Sequence, residues 1–89
     1  MAIAIVRHQV SSFNAWKAIV DELEPMRRKD GMTSWNIYTA QEDDCDVTAV
    51  LQFDSAAEAE AHLSNPELKA KLQSAGVVSK PQISFLKAH

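Results

Sequence analysis

Two segments of this chain are apolar on both sides of an extended backbone, and that restricts its folds more than any other feature. From Val47 to Phe53, the residues Val47, Ala49, Leu51 and Phe53 point one way, while Val50 points the other way between Thr48 and Gln52. In the opening segment Ile3 and Ile5 alternate with Ala4, Val6 and Val10, and neither face reads as solvated before Arg7, His8 and Gln9. Strands of this kind lie centrally in a sheet covered on both sides. Two central strands therefore need two covers.

Helices supply one of them. After a first strand over about Ala2 to Val10, Ser11-Ser12 can cap a helix whose apolar residues Phe13, Trp16, Val20, Leu23 and Met26 recur at spacings of three and four. Pro25 falls inside that pattern and removes a main-chain donor, which predicts a kink or an early end between Leu23 and Met26. Arg27, Arg28 and Lys29 suit the negative end of this helix, and Gly31 provides the left-handed residue that terminates it.

The remaining elements follow from turn and cap chemistry. Thr33, Trp35, Ile37, Tyr38 and Thr39 mark a strand from Met32 to about Ala40, and the polar run Gln41 to Asp46 is expected to join it to the third strand as a hairpin with a longer loop. Ser55 and Glu58 form a capping-box pattern that starts a second helix, and Asn65-Pro66 restarts it until Gly76 closes it. Ile83 and Phe85 alternate with Gln82 and Ser84 in a last strand that runs to about Lys87. The sum is an α+β, ferredoxin-like β-α-β-β-α-β unit: a four-stranded antiparallel sheet with strands one and three central and both helices on one face.

The other face must then be covered by something else. With Ala4, Val6, Val10 or Val50 on it, it would expose a larger apolar patch than soluble monomers carry, so a second copy is expected to cover it in a two-fold homodimer whose sheets enclose a barrel. At 89 residues the chain is one domain, spanning 1–89, and buries roughly 60 to 65 per cent of its unfolded surface, so burial between copies would add needed stability.

Composition narrows the function. Lys and Arg total 9 against 12 for Asp and Glu, a net charge of −3, and the basic cluster 27–29 is followed at once by Asp30, so there is no electrostatic footprint for nucleic acid. Cys45 is the single cysteine and sits among Glu42, Asp43, Asp44 and Asp46, whose field disfavours a reactive thiolate. A reduced, cytoplasmic setting is the simplest expectation, with neither a signal-peptide core nor an apolar run of membrane length. The sequence contains no C-x-x-C, H-E-x-x-H or phosphate-binding glycine loop, and with only Gly31 and Gly76 it has no dinucleotide fingerprint, so no cofactor and no metal is expected.

The order and length of these elements resemble the dimeric α/β-barrel superfamily. In particular, Leu51-Gln52-Phe53-Asp54-Ser55 through Ala61-His62-Leu63-Ser64-Asn65-Pro66-Glu67-Leu68-Lys69 resembles the antibiotic-biosynthesis monooxygenase family. Members often have Trp-Glu where this chain has Phe53-Asp54, and His where it has Glu67. The resemblance implies a pocket between the helices and their own sheet, used for cofactor-independent oxidation of aromatic or quinol compounds, for polyketide cyclisation or for haem degradation. Haem-degrading members supply an axial His from the short helix after the break, and Leu68 to Ser74 contains none.

The residues able to carry such chemistry are few. His62 stands where the resemblance places a helix-borne Tyr of polyketide cyclases, and imidazole exchanges protons near neutral pH; alternatively it forms a solvated i,i+4 pair with Glu58. Arg7 and His8 point to opposite sheet faces, so only one can reach the helix-side pocket: His8 as a base, or Arg7 as a holder of phenolate or carboxylate. Trp16, Trp35 and Phe53 are candidate pocket walls for an aromatic substrate, or core residues.

The expected function is a small cofactor-independent enzyme, of monooxygenase or cyclase type, that abstracts a proton from an apolar aromatic, quinol or polyketide-like molecule. The alternative is a non-catalytic dimeric module that binds a small ligand, as in the stress-related branch of the superfamily. A cavity of at least about 300 Å³ between helices and sheet would favour the enzyme.

Overall fold

The computed structural model describes residues 1–89. Strand β1 (Ala2–Gln9) leads to helix α1 (Phe13–Glu22), whose first turn is capped by the Ser12 side chain accepting from the Ala15 N–H. Pro25 ends α1 as its lost donor requires, and the chain restarts as α2 (Glu24–Lys29) with the proline in its first turn. Gly31, at φ 105°, then turns the chain into β2 (Met32–Ala40).

Strand β3 (Asp43–Phe53) follows after two residues, which corrects the expected longer loop. The polar run is absorbed into the strand: Asp43 accepts from the Cys45 N–H, Asp46 pairs with Arg7, and a register shift at Thr39/Ala40 accommodates the tight hairpin. Ser55 caps α3 (Ala56–Leu63) by accepting from the Glu58 N–H, and Asn65 caps α4 (Pro66–Ser74) by accepting from the Glu67 N–H. Gly76, at φ 93°, closes α4, and β4 (Gln82–Lys87) completes the chain.

The strands are ordered β2-β3-β1-β4 and every pairing is antiparallel, with Ala4 opposite Leu51 and Phe85. Strands β1 and β3 are central, and the helices lie on one face: the ferredoxin-like arrangement. Beneath the helices are two core clusters, one around Ala4, Val6, Leu51, Phe53 and Ala59, the other around Val10, Trp16, Val20, Val47 and Ala75.

The sense of β1 differs in part from the expectation. Ala4, Val6 and Val10 are buried in these cores rather than displayed on the helix-free face. By register that face carries half-buried Ile3, Ile5 and Val50 with exposed Leu86, so its apolar patch is built from different residues. On the helix side the small Ala4 shares its cluster with Ala59 of α3, so strand and helix meet there through short side chains. No helix is long and apolar enough to cross a membrane.

Candidate functional site

Alternation along β1 decides between Arg7 and His8. His8 shares the inward phase of Ala4 and Val6 and is 5% exposed, whereas Arg7 projects to the helix-free face. There Arg7 forms a two-pronged pair with Asp46, Nε to Oδ1 at 3.0 Å and Nη2 to Oδ2 at 2.6 Å. This pairing raises the guanidinium pKa and lowers that of the carboxyl, each chiefly through the hydrogen bond between them. Arg7 is thus outside the helix-side pocket, a correction to its assignment as a ligand-holding group there.

His8 meets Trp16 of α1 edge-on, with ring centroids 5.6 Å apart. Neither imidazole nitrogen has a hydrogen-bond partner in the protein. Burial pushes its pKa below the ordinary value, so at neutral pH the ring is uncharged and one nitrogen keeps its lone pair.

His62 comes to the site from a helix. It lies on the inner side of α3, 2% exposed, against the Phe53 ring at 5.6 Å. Its partner is Asp30 rather than Glu58, with Nδ1 2.7 Å from Oδ2. Glu58 is occupied by the Ser55 hydroxyl, so the solvated i,i+4 pair does not form. Because a carboxylate only accepts, Nδ1 carries the proton in this contact, and in the neutral ring Nε2 is then the basic atom.

Arg27 is the residue that sequence reasoning missed. The break at Pro25 sets the phase of α2 so that Arg27 follows buried Leu23 by four residues and turns inward, leaving it 4% exposed. Its guanidinium carbon lies 4.0 Å over the centre of the Trp35 ring, and its Nε and Nη2 have no partner in the protein. Desolvation lowers its pKa, opposed by the fields of Glu24 and Asp21. The i,i+4 relation to Leu23 was the available signal; Met26, at i+3, is only half-buried.

These side chains converge on a cavity of about 50 Å³ between the helices and the sheet. Ten of its thirteen lining residues are apolar, and the other three are His8, Arg27 and His62. Of the candidates named from sequence, His8, His62, Trp16 and Trp35 line it. Phe53 lies beneath it, fully buried, and supports His62 rather than forming wall. Leu68 and Leu72 of α4 complete the enclosure. No group of three His, Cys, Asp or Glu side chains is placed to hold a metal ion.

Chemically, the arrangement offers an uncharged imidazole, a second imidazole oriented by a carboxylate, and a guanidinium with free donors, all in a mostly apolar lining. Such a set can accept a proton and stabilise the anion left behind.

No protein-family model matches the sequence, and no curated protein matches it. Solved structures do. The chain is similar to a crystal structure of an antibiotic biosynthesis monooxygenase, with 12% identity over 100% of this chain and 99% of that one and a TM-score of 0.77. It is similar to SnoaB, a cofactor-independent oxygenase from Streptomyces nogalater, with 10% identity over 99% of this chain and 92% of that one and a TM-score of 0.80. A conserved protein from Methanosarcina mazei Go1 has 17% identity over 100% of this chain and 94% of that one, with a TM-score of 0.76. At such identities the likeness is one of fold: the chain has the ferredoxin-like fold of the antibiotic biosynthesis monooxygenases, matched end to end.

Proposed function

We propose that this protein is a small cofactor-independent enzyme of the monooxygenase type, or a cyclase using the same first step, acting on an aromatic, quinol or polyketide-like molecule. The observation that carries the reading is that the Asp30-oriented His62 lines one mostly apolar cavity together with the unpartnered Arg27 and His8. The oxygenase activity of SnoaB on the same fold supports it.

In this reading His62, with its Nδ1–H held by Asp30, removes a proton from a phenol or an acidic carbon through Nε2, and Arg27 holds the resulting oxyanion. For oxidation, the substrate anion gives one electron to dioxygen, the radical pair joins through a new C–O bond, and the peroxide loses water. A methylene thereby becomes a carbonyl: R2CH2 and O2 give R2CO and H2O. For cyclisation, the same enolate attacks a carbonyl carbon within the substrate. The protein's part in both is deprotonation and anion stabilisation in a mostly apolar site.

The helix-free face, with Ile3, Ile5, Val50 and Leu86, is the surface through which two copies would pair.

One observation favours the second reading, a non-catalytic dimeric ligand-binding or stress-related module. The cavity, at about 50 Å³, falls short of the about 300 Å³ expected of a substrate pocket and even of the about 150 Å³ that suffices for one benzene ring. Oxygen uptake with a panel of hydroxyaromatics and quinols tests between the two. Turnover by the native protein that His62→Gln abolishes supports the enzyme. Crystallographic density for the same compounds in the cavity without oxygen uptake or cyclised product supports the module.

A further inference from the structure

We propose that the cavity selects its ligand by charge: it takes a flat aromatic or enolic molecule bearing one ionised oxygen, which Arg27 grips through Nε and Nη2. This rests on the reading of the cavity as a substrate pocket and narrows it to molecules bound as oxyanions.

The argument starts from where the nearby carboxylates are spent. Glu24 accepts from Arg28 at 2.9 and 3.1 Å, Asp21 from Lys17 at 2.7 Å, and Asp30 faces His62 at 2.7 Å. Arg27 is left without any of them, although it is the buried member of its cluster. A guanidinium stays protonated in proteins, and a buried charge with no partner is strongly disfavoured. Trp35 meets it through the ring face, which leaves the in-plane donors free for the two-pronged contact that suits a carboxylate or a delocalised phenolate.

The other polar groups of the lining add no negative charge. His8 carries no charge there and, like Arg27, has its polar atoms unmatched in the protein. With Asp30 turned to His62, the cavity contains one permanent positive charge and no anion of its own, and one bound anion neutralises it. Ten apolar lining residues demand that the rest of the ligand be apolar. Space for a ring has to come from the α4 wall, which contributes Leu68 and Leu72 and has Leu68 as its single buried residue.

Benzoate and benzamide, alike in shape and different in charge, provide the test by isothermal titration calorimetry on the native protein. The expected result is benzoate binding at least tenfold more tightly than benzamide. Arg27→Met should reduce that ratio to near one. Arg27→Lys, which keeps the charge without the fork, should retain an intermediate preference. Equal binding of the two by the native protein, or no benzoate binding at millimolar concentration, overturns the proposal and needs no variant to fold. Charge selectivity without oxygen uptake on any phenol leaves this inference standing and removes the oxygenase; oxygen uptake without charge selectivity does the reverse.

Discussion

Asp30 and His62 meet at 2.7 Å across 32 residues of chain, joining the turn after α2 to the inner side of α3. The contact fixes which imidazole nitrogen holds the proton. Asparagine at position 30 would keep the shape but could donate from its amide to Nδ1, moving the ring proton to Nε2. Asp30→Asn is therefore expected to lower turnover by about 10² to 10⁴, the usual contribution of a positioned base. Stability should fall by about 1 to 3 kcal/mol, the range for a lost charged hydrogen bond. Native-like turnover in this variant, measured beside its urea midpoint, would remove His62 from the mechanism.

His8 should leave a mark on the pH dependence of stability. Its folded pKa lies below the unfolded value of about 6.5, so within that window the unfolded chain binds a proton that the folded one does not. Stability is complete above about pH 6.5, falls on acidification through the window, and levels off below the folded pKa. In His8→Phe this part of the melting profile should flatten, and a slope identical to the native one would contradict the assignment.

The Arg7–Asp46 pair acts at lower pH and with the opposite dependence on charge. The Asp46 carboxyl is held below its ordinary value by the guanidinium, so its contribution is complete above about pH 4 and is lost as the pH falls through the depressed pKa. Asp46→Asn is expected to soften acid unfolding there while leaving the His8 limb in place, as read by circular dichroism against pH.

Phe53 is fully buried against the His62 ring. Phe53→Ala is expected to cost about 3 to 5 kcal/mol, a large fraction of the stability of a domain this small, whereas Phe53→Leu should stay below about 1.5 kcal/mol. Urea titration of both variants distinguishes this supporting role from that of a pocket wall, for which the alanine variant would keep its midpoint and change ligand affinity.

If two copies pair through the helix-free face, Ile5→Lys places a charge in the middle of the contact. Light scattering should then report a mass near that of one chain for the variant and of two for the native protein. Equal masses would assign any dimer to another surface.

The fold was legible wherever local chemistry is decisive. Ser12, Ser55 and Asn65 cap the helices they were expected to cap, Pro25 breaks the first helix, and Gly31 and Gly76 take the positive φ that ends a helix. The site was less legible because its members are joined by docking rather than by spacing. Asp30 reaches His62 only after α2 and α3 have packed on the same sheet. Arg27 is distinguished from Arg28 and Lys29 only by the phase that follows the break at Pro25. Similarly, the alternation of β1 told that Arg7 and His8 part company but not which goes inward; that depends on α1 bringing Trp16 over the same face.

The chain has two tryptophans, Trp16 and Trp35, and both wall the cavity. Indole emission from this protein therefore originates entirely at the site, with one ring beside an imidazole and the other beneath a guanidinium. The protein is its own label: any molecule that enters the cavity changes the wavelength or the quantum yield of the whole signal, with no background from distant chromophores of the same kind.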